Sequence, residues 1–250
     1  EKAKPLTAPE SFIISDPKIS TSYLQMGFLV PSIAEPRVNM ALDIAAIALG
    51  QGRSSRLYQN LKEKQQIVHS IGTHNLTLQQ SGVFYLNAEI LPENRTKAKQ
   101  AIIQEIEALK QTGITPSELN KAKTQVIKDF AFLTESTQGV ASTLGYNVTL
   151  GTLKDYTDYA DSLSTITLEE VNAAIKQYLV FPQSALVEVV PTSLNINTAQ
   201  ETAANIALLK QPQIKPAQQT TVASDATNQD IKKITLGNGA TIILKPTQTT

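Results

Sequence analysis

Apolar and polar residues alternate over 23–30, YLQMGFLV, so that Leu24, Met26, Phe28 and Val30 share one face of an extended chain. That spacing predicts a strand buried on one side. The next stretch, PRVNMALDIAAIALG, is rich in alanine and leucine and predicts a helix stopped by Gly50 and Gly52, where a positive φ costs little. SSRLYQNLKEK predicts a second, shorter helix with Ser54 or Ser55 as its N-cap. IVHSIGTH and GVFYLNAEIL then read as two strands, the second burying Phe84, Leu86, Ala88 and Ile90. Helical spacing takes over in ENRTKAKQAIIQEIEALKQ, which sets Ile102, Ile106 and Leu109 on one side and ends at Thr112 and Gly113.

TPSELNKAKTQVIKDFAFL opens with Thr115, Pro116 and Glu118, a capping box with proline at the first helical position. Leu119, Ala122, Val126, Phe130 and Leu133 line one face of that helix. Two or three more helices are expected over 135–179, one opened by a second capping box at Thr167 and Glu170. ALVEVV, 185–190, predicts a last strand before Pro191. From Pro191 to Gln229 the only charges are Glu201, Lys210, Lys215 and Asp225, and no aromatic residue occurs. Such a composition predicts a linker with at most one helical turn near ANIALLK. IKKITLGNGATIILKP then reads as a hairpin around the GNG at 237–239. The expected organisation is a domain over 1–191, a linker over 192–229, and over 230–250 the opening hairpin of a further, truncated domain.

Composition narrows the chemistry. The 250 residues carry 22 basic and 22 acidic side chains and are 41% hydrophobic, enough for a sizeable core. With no net charge and no basic block, nucleic acid or an anionic membrane surface is not the expected partner. No apolar run reaches the ~18 residues of a membrane span. The first residues, EKAKPLTAPE, hold no apolar signal core, so a targeting segment is expected to have been removed or never present. The chain has no cysteine, which excludes disulfides, thiolate metal sites and a cysteine nucleophile but leaves the compartment open.

The two histidines, His69 and His74, invite a test for a metal site. They are five residues apart, and on a strand an odd separation points side chains to opposite faces. The zinc-hydrolase pattern H-x-x-E-H instead puts its histidines on one helical face with glutamate as general base, and no such pair exists here. Nucleotide-binding glycine motifs and G-x-S-x-G are also absent, and GQGRSS is most simply a helix stop followed by a helix start.

Several motifs in order carry a resemblance. LGQGRSSRLYQNLKEKQQIVHSIG, then SGVFYLNAEI and TPSELNKAKTQV, resemble the non-metal-binding half of the pitrilysin, insulin-degrading-enzyme and mitochondrial-processing-peptidase family of zinc peptidases. Ser55, Arg56 and Leu57 match that family's S-R-L, Leu61, Glu63 and Lys64 its next motif, and Glu118, Leu119, Ala122 and Lys123 its E-L-x-x-A-K helix. The likeness covers roughly 15–190, and TLGNGATIILKP resembles the hairpin that opens the next domain.

What the resemblance implies is an α+β, two-layer sandwich: a mostly antiparallel sheet with helices on one face. It implies zinc held by H-x-x-E-H in the parent protein, on a motif-bearing domain of the same chain or of a dimer partner, with no cofactor in this chain. An unfolded peptide is the implied substrate. The family's substrate-contacting arginine and tyrosine fall on Lys62 and His69, with six residues between them. Lysine keeps the charge without the bidentate fork, and histidine keeps a hydrogen-bond donor. Two readings stay open: Lys62 and His69 do the family's work in weakened form, or they are remnants in a domain that only shapes the chamber. Beside the reading as a fragment of a zinc endopeptidase stand a non-catalytic structural subunit and a peptide-binding module offering a strand edge.

Overall fold

The structure, a computed structural model, describes residues 4–151 and 157–211 and the strand backbones of 232–235 and 241–244. Five strands form one sheet: β1 (Glu10–Asp16), β2 (Ser22–Val30), β3 (Ser70–Thr77), β4 (Gly82–Ile90) and β5 (Ser184–Pro191), in the order β1-β5-β2-β4-β3. Only the β1–β5 pair is parallel. Leu24, Met26, Phe28 and Val30 on β2, and Phe84, Leu86, Ala88 and Ile90 on β4, are buried on a shared face. The register pairs Met26 with Leu86 and Phe28 with Phe84 across β2 and β4. Burying each large side chain contributes about 1.5–3 kcal/mol.

The described helices cover that face. They are α1 (Pro36–Gly50), α2 (Arg95–Thr112), α3 (Pro116–Leu133), α4 (Thr137–Leu150), α5 (Tyr159–Ser164), α6 (Leu168–Tyr178) and α7 (Thr198–Lys210). Helix α1 lies in the middle, buried nearly all round, as its run of alanine, leucine and isoleucine requires. Both capping boxes are present, at Thr115 with Glu118 and at Thr167 with Glu170. The other sheet face is open, with Phe12 and Ile14 each 54% exposed beside Tyr23. This is the two-layer α+β arrangement with a mostly antiparallel sheet.

Several local expectations are corrected. Gly52 and Gly113 have positive φ, but Gly50 does not. Gly50 serves a close approach instead: an added Cβ would lie 2.6 Å from Thr73 Oγ1 of β3. The expected short helix at 54–64 is a π-helical turn, Tyr58–Lys64, and Ser55 does not cap it; its hydroxyl donates back to Gly52 O at 2.8 Å. On α3, Leu133 is exposed because the helix runs past the core that Leu119, Ala122 and Val126 enter.

The larger correction concerns 198–210. Read as linker, these residues form the thirteen-residue α7, capped by the Asn197 side chain accepting from Gln200 N. Its polar composition hides the reason. Asn205 is buried and donates to Glu188 Oε1 at 2.8 Å and Ser11 Oγ at 3.1 Å, while accepting from Lys99 Nζ at 2.8 Å. Polar contacts fix this helix against β1 and β5 where a linker reading relies on missing apolar periodicity. The chain divides into two compact units, Glu1–Lys215 and Pro216–Thr250. In the second, β6 (Lys232–Thr235) pairs antiparallel with β7 (Thr241–Leu244). The GNG at 237–239 lies outside the described residues.

Candidate functional site

The segment between α1 and β3 carries the residues that the sequence singled out, and it is fixed at both ends. At its start, Thr73 Oγ1 donates to Ala46 O at 2.6 Å and Gln51 Nε2 donates to Thr73 O at 2.9 Å, tying the end of α1 to β3. Leu57 and Leu61 are fully buried. Between them and α3 stands a guanidinium fork: Arg56 Nε and a terminal nitrogen each meet a Glu118 oxygen at 2.7 Å, and Arg56 also donates to Gly113 O at 2.8 Å. Burial pushes the Glu118 carboxyl up, but Arg56 and the Thr115 N–H outweigh it and hold it below its ordinary value. Lys123 Nζ reaches Ser164 O at 2.7 Å. The motif residues Ser55, Arg56, Leu57, Glu118, Leu119, Ala122 and Lys123 therefore brace the fold.

Lys62 and His69 sit on what is braced. Lys62 is half-buried on the π-helical turn, its Nζ 5.3 Å from the centroid of the Tyr58 ring. The turn closes with Gln65 N donating to Asn60 O and Ile67 N to Leu61 O. Gln66 then takes a left-handed conformation, φ 53°, that turns the chain toward the sheet. Ile67 and Val68 are buried, and His69 N donates to Glu89 O at 2.7 Å, one residue before β3 begins. The His69 side chain is exposed. So Leu61, Ile67 and Val68 anchor the segment in the core; Lys62 lies on the turn and His69 one residue before β3, an edge strand of the sheet.

The donor set does not fit a zinc ion. His74 lies on the open sheet face, its ring 5.2 Å from that of Tyr85, its register partner on β4. Its odd separation from His69 keeps the two imidazoles from one ion. Among the described residues, no three His, Asp or Glu side chains are placed to share a metal. Nor is any described helix long and apolar enough to cross a membrane.

The fold is a two-layer α+β domain in which no metal-binding cluster occurs among the described residues. Residues 1–126, half of the chain, match the family described as the peptidase M16 inactive domain, and the chain belongs to that family. It is 28% identical over 174 residues to the zinc protease PqqE of Helicobacter pylori, a match spanning 69% of this chain but 39% of that protein. A protease crystal structure from Helicobacter pylori superposes with a TM-score of 0.69 at 26% identity, over 76% of this chain and 46% of the other. The peptidase M16 inactive domain from Pseudomonas fluorescens superposes at 0.68 and 21% identity, over 76% of this chain and 45% of that one, a likeness of fold.

One functional candidate escaped the sequence reading. Asp43 is the only acidic residue in α1 and sits in its otherwise apolar run. A lone carboxylate at such a position is the signal that points to it.

Proposed function

We propose that this domain forms part of a longer zinc-dependent endopeptidase acting on unfolded peptides, supplying chamber wall and substrate contacts while a motif-bearing domain, of the same chain or of a dimer partner, holds the zinc. In this reading, residues 230–250 open a further domain. Lys62 and His69 are the substrate-contacting groups, lysine attracting a peptide carbonyl or carboxylate and histidine donating a hydrogen bond to it. The observation that supports the reading is the anchoring of this segment by buried Leu61, Ile67 and Val68, with His69 N bonded to Glu89 O. A site that acts on substrate needs such pre-organisation, since a misplacement of about 1 Å can cost roughly 100-fold in rate.

The test compares peptide cleavage by the longer protein with that of Lys62→Ala, His69→Ala and the double variant. A fall of about tenfold in turnover, ~1.4 kcal/mol of transition-state stabilisation, with unchanged folding is the expected result. Unchanged cleavage makes the two side chains remnants and the domain scaffold. The 250-residue chain alone is expected neither to cleave peptides nor to hold stoichiometric zinc, which metal analysis after dialysis checks.

A second reading rests on the position of β3. An edge strand offers main-chain groups to an extended peptide without help from a neighbouring domain. Titration of the chain with a mixed peptide pool tests it, and heat on mixing would support a peptide-binding module.

A further inference from the structure

A cleft of about 810 Å³ opens on the helical side, between α1, α3, α4, α5 and the edge strand β3. Its size falls in the range of roughly 300–1,000 Å³ that small ligands and side chains occupy. Asp43 of α1 faces it. One carboxylate oxygen accepts from Asn75 Nδ2 at 2.9 Å and the other from the Tyr159 hydroxyl at 3.2 Å. Both donors are neutral. Burial pushes the Asp43 carboxyl up to about 6, and these two hydrogen bonds offset only part of that rise. Arg37 also lines the cleft, but its guanidinium is held by Glu170 and Thr165.

The wall behind Asp43 is itself short of donors, although its unpartnered oxygens are sealed from solvent. Asn39 is 5% exposed and lines the cleft; its Nδ2 donates to Ser32 O and Glu35 O, while its Oδ1 has no partner among the described residues. Asn75 Oδ1 is likewise unpartnered. A carboxylate lining a cleft, with only neutral partners among the described residues, calls for a ligand that brings donors and positive charge. Met40 and Val126 on the walls call for an aliphatic portion as well. A lysine or arginine side chain combines the two, an apolar stem ending in a charged donor.

We propose that the cleft receives the cationic side chain of an extended peptide, its stem along Met40 and Val126 and its charge at Asp43. Asn75 and Thr77 of β3 form part of the wall, so a chain running along this edge would bring a side chain to the opening. The site is separate from Lys62 and His69 and does not depend on their role.

The experiment is isothermal titration of the 250-residue chain with three blocked pentapeptides that differ only at the central residue: lysine, arginine or norleucine. Lysine and arginine peptides are expected to bind about tenfold tighter than norleucine, the effect of one charge-assisted hydrogen bond. In Asp43→Asn, whose folding is checked by its thermal melt, that preference should disappear. Equal affinity for the three peptides, absence of binding included, overturns the proposal. So does a preference that survives in Asp43→Asn.

Discussion

Two carboxylates on the helical side of the sheet, Glu188 and Asp43, meet opposite fates. Glu188 on β5 is clasped by Lys99 Nζ at 2.8 Å, by Arg95 at 2.8 and 3.0 Å, and by Asn205. Burial pushes it up, but Lys99, followed by Arg95 and Asn205, more than offsets that and holds it below its ordinary value. Among the described residues Asp43 meets only an amide and a phenol, so burial wins and its carboxyl rises to about 6. The difference lies in who supplies the counter-charge. At Glu188 the fold supplies it from α2, and the charge fastens α7 to the sheet. At Asp43 no described residue supplies it, although Arg37 lines the same cleft. A structural charge carries its cations with it; a charge left waiting marks a place for something else.

Breaking the clasp has the largest expected effect. Lys99→Met leaves Glu188 with one cation in a site where both side chains are almost wholly enclosed. Removing one partner of a buried ion pair costs about 3–5 kcal/mol. The urea midpoint at pH 7 should fall accordingly. Glu188→Gln added to Lys99→Met should recover part of the loss, because the excess negative charge is gone. If Lys99→Met shifts the midpoint negligibly, the clasp does not hold α7.

Asp43→Asn should move stability the other way. The carboxyl has an ordinary value of 3.8 when exposed and about 6 when folded. Between those values the folded chain binds the proton more tightly, so its stability declines as pH rises through this window and stays lower above it. The rise from 3.8 to about 6 corresponds to at most ~3 kcal/mol, less for a partly accessible group. The amide removes that penalty. Melting curves should show Asp43→Asn more stable than the parent at pH 7 and equal to it near pH 3.5. Glu188 has the reverse sign: its contribution is full above the ordinary carboxylate range and is lost as pH falls through its lowered folded value. A loss of stability in Asp43→Asn at pH 7 would make Asp43 a structural residue like Glu188. A gain together with lost peptide preference would show a charge kept at the expense of stability.

Apolar spacing made most of the frame legible in the sequence. The buried faces of β2 and β4, the helix α1 and both capping boxes follow from local pattern, because burial and backbone satisfaction act at the scale of a few residues. The motif segments 55–64 and 118–123 pointed to the family, yet their residues turned out to build the Arg56–Glu118 brace. Helix α7 was illegible because buried polar contacts with residues far along the chain fix it, through Asn205, Ser11, Lys99 and Glu188. The left-handed Gln66 was illegible too, since glycine or asparagine is the usual sign of that conformation. Asp43 stood in view, but that no described residue gives it a counter-ion is a property of five converging elements.

The two capping-box glutamates extend the comparison to its smallest term. Each takes an arginine from a distant element: Glu118 from Arg56 and Glu170 from Arg37. The chemistry is the same bidentate fork, but the side chains are 20% and 27% exposed in the first pair and 54% and 35% in the second. An exposed pair gains little, because water competes for both ions and two long side chains must be ordered. Arg37→Ala should therefore shift stability by no more than about 0.5 kcal/mol. Arg56→Ala should cost roughly 1–3 kcal/mol, since it also leaves the half-buried Glu118 without its cation. Added salt should narrow the gap between Arg37→Ala and the parent and leave the Arg56→Ala deficit nearly intact. Equal losses in the two variants would mean that the fork, and not its burial, sets the strength of these pairs.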